Sequence, residues 1–123
     1  MSGWVAMLAG RPVYVLAADG PLLGDARAAA DVMGEAFRSD ARMVAIPTRR
    51  LAPGFLTLST RVAGEVIQKF VNYRFRLAVV GDIAGPVAAS AALRDFVVES
   101  NRGRHVWFVQ DLQALGAKLA AEG

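Results

Sequence analysis

The sequence has no cysteine. That absence removes disulfide frameworks, thiolate metal sites and cysteine nucleophiles. Histidine is almost as scarce. His105 is the only one, so no imidazole pair exists for zinc. A Ser–His–Asp arrangement would have to use this one ring at the start of a predicted strand, and no Gly-x-Ser-x-Gly elbow is present. His105 therefore reads as structural. Long apolar runs are also missing. The most apolar stretch, Leu77 to Leu93, is interrupted by Asp82, Gly85 and Pro86, and a membrane span needs about 20 largely uninterrupted apolar residues. Met1 to Leu8 is apolar, yet no basic residue precedes it and Arg11-Pro12 cuts it short, which argues against a signal peptide. The expected compartment is the cytoplasm, with no membrane partner. Charge of one sign is in short supply too. Fourteen basic residues face 11 acidic ones for a net +3, and the basic residues scatter as Arg49-Arg50, Arg74-Arg76 and Arg102-Arg104. Nucleic-acid binders concentrate charge on one face, so nucleic acid is not the expected partner.

What is present is the material of one α/β domain. The chain of 123 residues is long enough to bury roughly two thirds of its unfolded surface, and residues 1–123 read as a single domain. Alanine inflates the 54% hydrophobic content, leaving an ordinary core supply. Trp4–Ala9 and Val13–Ala18, joined through Gly10-Arg11-Pro12, predict an antiparallel hairpin. Asp25 is a candidate N-cap for a helix to about Phe37, with Ala29, Val32, Met33, Ala36 and Phe37 on one face. Met43–Ile46 and Leu77–Val80 are continuous apolar runs, the pattern of strands buried on both sides. Pro53 and Gly54 argue against regular structure over most of 48–60. Arg61–Tyr73 carries the clearest helical stripe, from Val62 through Phe70 to Tyr73. A further helix has Pro86 in its first turn and runs to about Ser100, with Asn101 and Gly103 suited to a left-handed cap. His105–Val109 is a strand, and Asp111 caps a last helix to about Ala120. The order β-β-α-β-α-β-α-β-α predicts a mixed, mostly parallel sheet of about five strands covered by helices.

Two blocks carry a resemblance. One is Ala63-Gly64-Glu65-Val66-Ile67-Gln68-Lys69-Phe70-Val71-Asn72-Tyr73-Arg74 with Leu77-Ala78-Val79-Val80-Gly81-Asp82-Ile83. The other is Ala92 to Val97 with Glu99-Ser100-Asn101-Arg102-Gly103-Arg104. Together they resemble the bacterial domain-of-unknown-function 4180 family, over about Val15 to Val109. Arg61 departs from that family's pattern, in which a glycine commonly precedes the helix. The family implies no activity. The element order is in turn similar to the sulfate-transporter and anti-sigma-factor-antagonist (STAS) fold, whose members mostly act by binding other proteins. This likeness is of topology and not of motif.

Candidate functional residues fall into two groups. Glu65 and Lys69 stand four apart in the favourable orientation, as do Gln68 and Asn72, so each pair is adjacent on the helix surface. The plain reading is a solvated helix face; the functional one is a polar recognition strip. Glu99, Asn101 and Arg102 close the next helix and serve either as a cap or, with Asn72 and Arg74, as a patch on one sheet edge. The second group lies where open α/β sheets bind ligands, at the strands' C-terminal ends. Asp19, Asp82 and Asp111 there suit Mg²⁺, but Asp also favours turns and N-caps, and no metal or cofactor is expected. Ser59 and Thr60 read as caps; by the STAS likeness they are also phosphorylation candidates. Tyr73, Trp107 and Phe108 read as core. The expectation is a non-enzymatic, STAS-like module binding a protein through Glu65, Lys69, Asn72, Arg74, Glu99, Asn101 and Arg102. The alternative is a small-molecule or anionic ligand held by Asp19, Ser59 and Asp82, in a binding protein or minor enzyme. The apolar first strand either pairs across a homo-oligomer or shields the sheet edge.

Overall fold

The computed structural model describes residues 3–122, so Met1 and Ser2 of the apolar opening run, and Gly123, lie outside it. Strands β1 (Gly3–Leu8) and β2 (Arg11–Leu16) form the expected antiparallel hairpin. Its turn is the pair Ala9-Gly10, both at positive φ (53° and 75°), and not Gly10-Arg11-Pro12. Leu8 pairs directly with Arg11, leaving a two-residue connection. Such turns match strand twist only when both central residues are left-handed. Strands β3 (Met43–Pro47), β4 (Arg76–Val80) and β5 (Val106–Val109) follow in sequential order, each parallel to its neighbour from β2 onward.

Sequential parallel strands return every crossover to the same face. Helices α1 (Ala26–Arg38), α2 (Val62–Asn72) and α4 (Ala91–Arg102) therefore share one side of the sheet, where Ala36, Val66 and Phe70 pack on Val44, Ile46, Leu77 and Val79. The alternate strand residues Val13, Val15, Ala45, Ala78 and Trp107 face the other way, onto Leu115 and Leu119 of α5 (Leu112–Glu122). Period-two alternation thus feeds two cores. Met43 to Ile46 and Leu77 to Val79 are buried throughout because helices lie on both of their sides.

Two further details differ from the expectation. The helix expected from Pro86 to Ser100 is broken in two: α3 (Ala84–Ala89) stops before Ser90, which turns to an extended conformation and accepts the Leu93 N–H with its hydroxyl at 3.1 Å. A good N-cap residue within an apolar run starts a helix anew. Gly103 closes α4 at φ −90° and is not left-handed. The left-handed caps sit instead at Asp40 and Arg74, where Ala41 N–H reaches Ala36 O (2.9 Å) and Phe75 N–H reaches Phe70 O (2.9 Å). These are Schellman endings whose following residue is apolar and buried. Arg61 also lies at φ 66°, immediately before α2. This is a left-handed position, which glycine adopts at no steric cost.

Candidate protein-docking groove

At the strands' C-terminal edge the polar side chains are taken up by backbone. Asp25 and Asp111 accept the N–H groups of Ala28 and Ala114 as caps, and Asp82 accepts that of Ala84 two residues on in a local turn, each at 2.8 Å. Asp19 is exposed and meets Arg49 at 3.2 Å, while Ser59 is exposed on a 3₁₀ turn. No hydrogen bond or ion pair among the described residues links Asp19, Ser59 and Asp82. The Thr60 hydroxyl lies 2.6 Å from Gly54 O and accepts the Val62 N–H at 3.3 Å. Arg50, the one buried charged residue among those described, donates to Pro21 O (2.8 Å) and Ala17 O (2.9 Å) and so pins the loop after β2. Sequence reasoning missed it, because nothing separates Arg50 from the exposed Arg49 beside it.

The other predicted residues lie along α2 and α4. Gln68 donates to Asn72 at 2.8 Å, as the spacing requires. Lys69 does not turn to Glu65: its ammonium lies 4.8 Å from the centre of the Tyr73 ring. Glu65 is exposed. Arg74 contributes its backbone to the left-handed ending of α2. Glu99 and Arg102 form an exposed pair at 3.7 Å. Asn101 has a structural task, since its amide accepts the Phe108 N–H (2.8 Å) and donates to Phe108 O (3.2 Å), tying off the outer edge of β5. Asn72, Arg74, Asn101 and Arg102 do share the edge where β4 and β5 begin, but among the described residues no hydrogen bond or ion pair joins the two helix ends.

That edge holds a groove the sequence did not predict. Tyr73, expected in the core, is 58% exposed, and Phe37 is 59% exposed. Both stand at helix ends, Tyr73 as the cap residue of α2 and Phe37 one residue before the end of α1. At these ends neither ring is covered by a further helical turn. Between them, floored by Met33 and Phe75, is a largely apolar cavity of about 420 Å³. Cations cover its aromatic walls. Arg42 lies 4.5 Å from the Phe37 ring centre and 5.7 Å from that of Phe75, Lys69 covers Tyr73, and Arg38 borders the cavity. No carboxylate is among the residues lining the cavity, and Asp31, Glu35 and Asp40 are the ones nearest in sequence. The arrangement follows helix electrostatics: Arg38, Lys69 and Arg102 occupy last turns, where cations suit the negative helix end.

The same sheet edge carries an ion cluster, also unforeseen. Glu122 accepts two hydrogen bonds from Arg76 (3.0 and 2.8 Å), one from Arg11 (2.8 Å) and one from Arg104 (3.0 Å). Chiefly the Arg76 hydrogen bonds, with Arg11 and Arg104 assisting against the opposing effect of burial, lower its pKa to about 2. Arg76 also stacks over Trp107 at 4.4 Å. These arginines come from residues far apart in sequence, so no local pattern announces them.

The family model described as "Domain of unknown function (DUF4180)" matches residues 8–119, nearly the whole chain. The chain belongs to the DUF4180 family. No curated protein and no solved structure matches it. The span matched by DUF4180 includes every residue of the groove and begins at the last residue of β1. No helix among the described residues is long and apolar enough to cross a membrane.

Proposed function

We propose that this DUF4180 domain is a non-enzymatic, STAS-like binding module acting through protein contacts, and that its groove takes an acidic, apolar-anchored segment of a partner protein. The carrying observation is the pair of exposed aromatic rings, Phe37 and Tyr73, facing each other across an apolar cavity with a cation over each. Aromatic anchors beside basic side chains are the usual composition of binding hot spots. An apolar side chain fills the cavity, and flanking carboxylates meet Arg38, Arg42 and Lys69. With Arg38 lining the cavity, Arg42 and Lys69 over its rings and no carboxylate in its lining, the groove favours an acidic segment. Lys69 thereby enters the binding surface together with Tyr73, and Asn72 and Arg74 form its rim.

The test is capture from a lysate of the source organism by the tagged domain, read by mass spectrometry. Wild type is run beside a Phe37→Ser/Tyr73→Ser variant and a Lys69→Glu variant. A partner held by wild type should fall at least tenfold with both variants, whose exposed positions leave the domain folded. Equal capture by the folded double variant contradicts the groove.

A further inference from the structure

The sheet has two outer strands, and they end differently. At β5 the Asn101 amide occupies the outward N–H and C=O of Phe108. At β1 no described residue does this, and β1 pairs with β2 alone. The two-residue turn makes Leu8 and Arg11 a hydrogen-bonded pair, and alternation makes Ala6–Val13 and Trp4–Val15 the next ones. Gly3, Val5 and Met7 therefore direct their backbone N–H and C=O outward. Edge strands are commonly blunted by charge, proline or a bulge. The stretch Gly-Trp-Val-Ala-Met-Leu has no charge and no proline, and its register with β2 runs without a bulge. Its side chains are bare as well: Trp4 is 52% exposed, Val5 41% and Met7 63%.

The order of side chains says which strand fits. We infer that a second copy of this chain adds to the edge, β1 against β1 in antiparallel pairing about a two-fold axis through Val5. The outward backbone groups are symmetric about Val5, so Val5 meets the partner's Val5 and Gly3 meets the partner's Met7, each pair exchanging its hydrogen bonds. On the α1 side, Met7 lies opposite glycine, and Gly3 borders a cleft of about 780 Å³ with Val5, Tyr14 and Glu35 that receives the partner's Met7. Gly3 is held to glycine by the hairpin itself, because an added Cβ would run into the Val15 carbonyl. On the α5 side, Trp4 lies opposite the partner's Ala6. Trp4 and Met7, the two largest exposed side chains of the strand, thus each meet a small residue, which a strand of unrelated sequence would not guarantee. The two five-stranded sheets become one continuous sheet of closed two-fold symmetry. This contact is independent of the groove between α1 and α2.

Sedimentation equilibrium of the full chain tests it, with variants at the axis. Wild type should sediment at about twice 13.1 kDa. Val5→Lys places like charges face to face and should raise the dimer dissociation constant at least a hundredfold. A monomeric wild type at about 100 µM overturns the inference, as does a dimer unaffected by Val5→Lys. Because the chain has no cysteine, Val5→Cys gives a second reading that does not depend on a charged variant folding. Cα atoms of a hydrogen-bonded antiparallel pair lie about 5.5 Å apart, within disulfide range, so mild oxidation should link Val5→Cys chains. Met7→Cys chains, about 14 Å apart at four strand residues' spacing, should stay unlinked. Linking of Met7→Cys without Val5→Cys overturns the two-fold at Val5.

Discussion

The two ends of the parallel strands use the same residue types for opposite purposes. At the C-terminal end, Asp25, Asp82 and Asp111 hold helix amides, and Arg50 is buried against the carbonyls of the loop after β2. At the N-terminal end, Arg42 and Lys69 lie over exposed aromatic rings, while Arg11, Arg76 and Arg104 gather on Glu122 and Arg102 pairs with Glu99. Both arrangements begin with the helix dipole, which draws carboxylates to helix starts and cations to helix ends. The difference lies in what the backbone demands. Helix N-termini carry free N–H groups that a short carboxylate can reach. Helices α1 and α2 close through left-handed Schellman turns at Asp40 and Arg74, in which backbone N–H groups take up carbonyls of the last turn, with Ser39 Oγ adding a hydrogen bond to Glu35 O at 3.1 Å. Arg42 and Lys69 are left over the aromatic rings.

The contrast is most exposed to breakage at Arg50. Arg50→Met leaves the loop carbonyls of Ala17 and Pro21 without their donor and should cost about 3 kcal/mol. Urea unfolding measures it, and a loss under about 1 kcal/mol would mean that Arg50 does not hold that end together. The next largest effect concerns Glu122, whose side chain is 12% exposed. Its folded pKa of about 2 lies below the ordinary 4.5. The unfolded chain therefore takes up its proton first as pH falls, so the contribution is complete above about pH 4.5 and disappears on the way to pH 2. Allowing for solvent screening at the sheet edge, Glu122→Gln should cost about 1–3 kcal/mol at pH 7. The gap between variant and wild type should narrow on acidification to pH 3; a constant gap would contradict the ion cluster. The smallest effect has the opposite sign. Arg61→Gly relieves a left-handed residue and should stabilise the domain by about 1 kcal/mol; a loss of stability would show that the Arg61 side chain has a role that outweighs its backbone strain.

The elements made by local pattern were legible in the sequence. The apolar runs Met43–Ile46 and Leu77–Val80, the stripe of α2, and Asp25 and Asp111 as caps each follow from neighbours within one turn or strand. Contacts between distant residues were not. Glu122 gathers Arg11, Arg76 and Arg104 from three other parts of the chain, and Arg50 differs from Arg49 only in where the fold sends it. The groove escaped for a subtler reason. Phe37 and Tyr73 fit the apolar periodicity of their helices, and periodicity does not register that a residue at a helix end can lie past the elements that would cover it. The surface expected around Lys69, Asn72 and Arg74 borders the groove at the end of α2, whose ring Tyr73 was assigned to the core.

The most direct measurement of the account is a side-by-side capture experiment with edge-specific variants. Wild type is compared with Phe37→Ser/Tyr73→Ser at the strands' N-terminal end and with Asp19→Ala/Asp82→Ala at their C-terminal end. Loss of the captured protein by the first variant alone is the predicted result. Loss by the second alone, with the first binding as wild type does, would contradict it and move the site to the opposite end of the sheet.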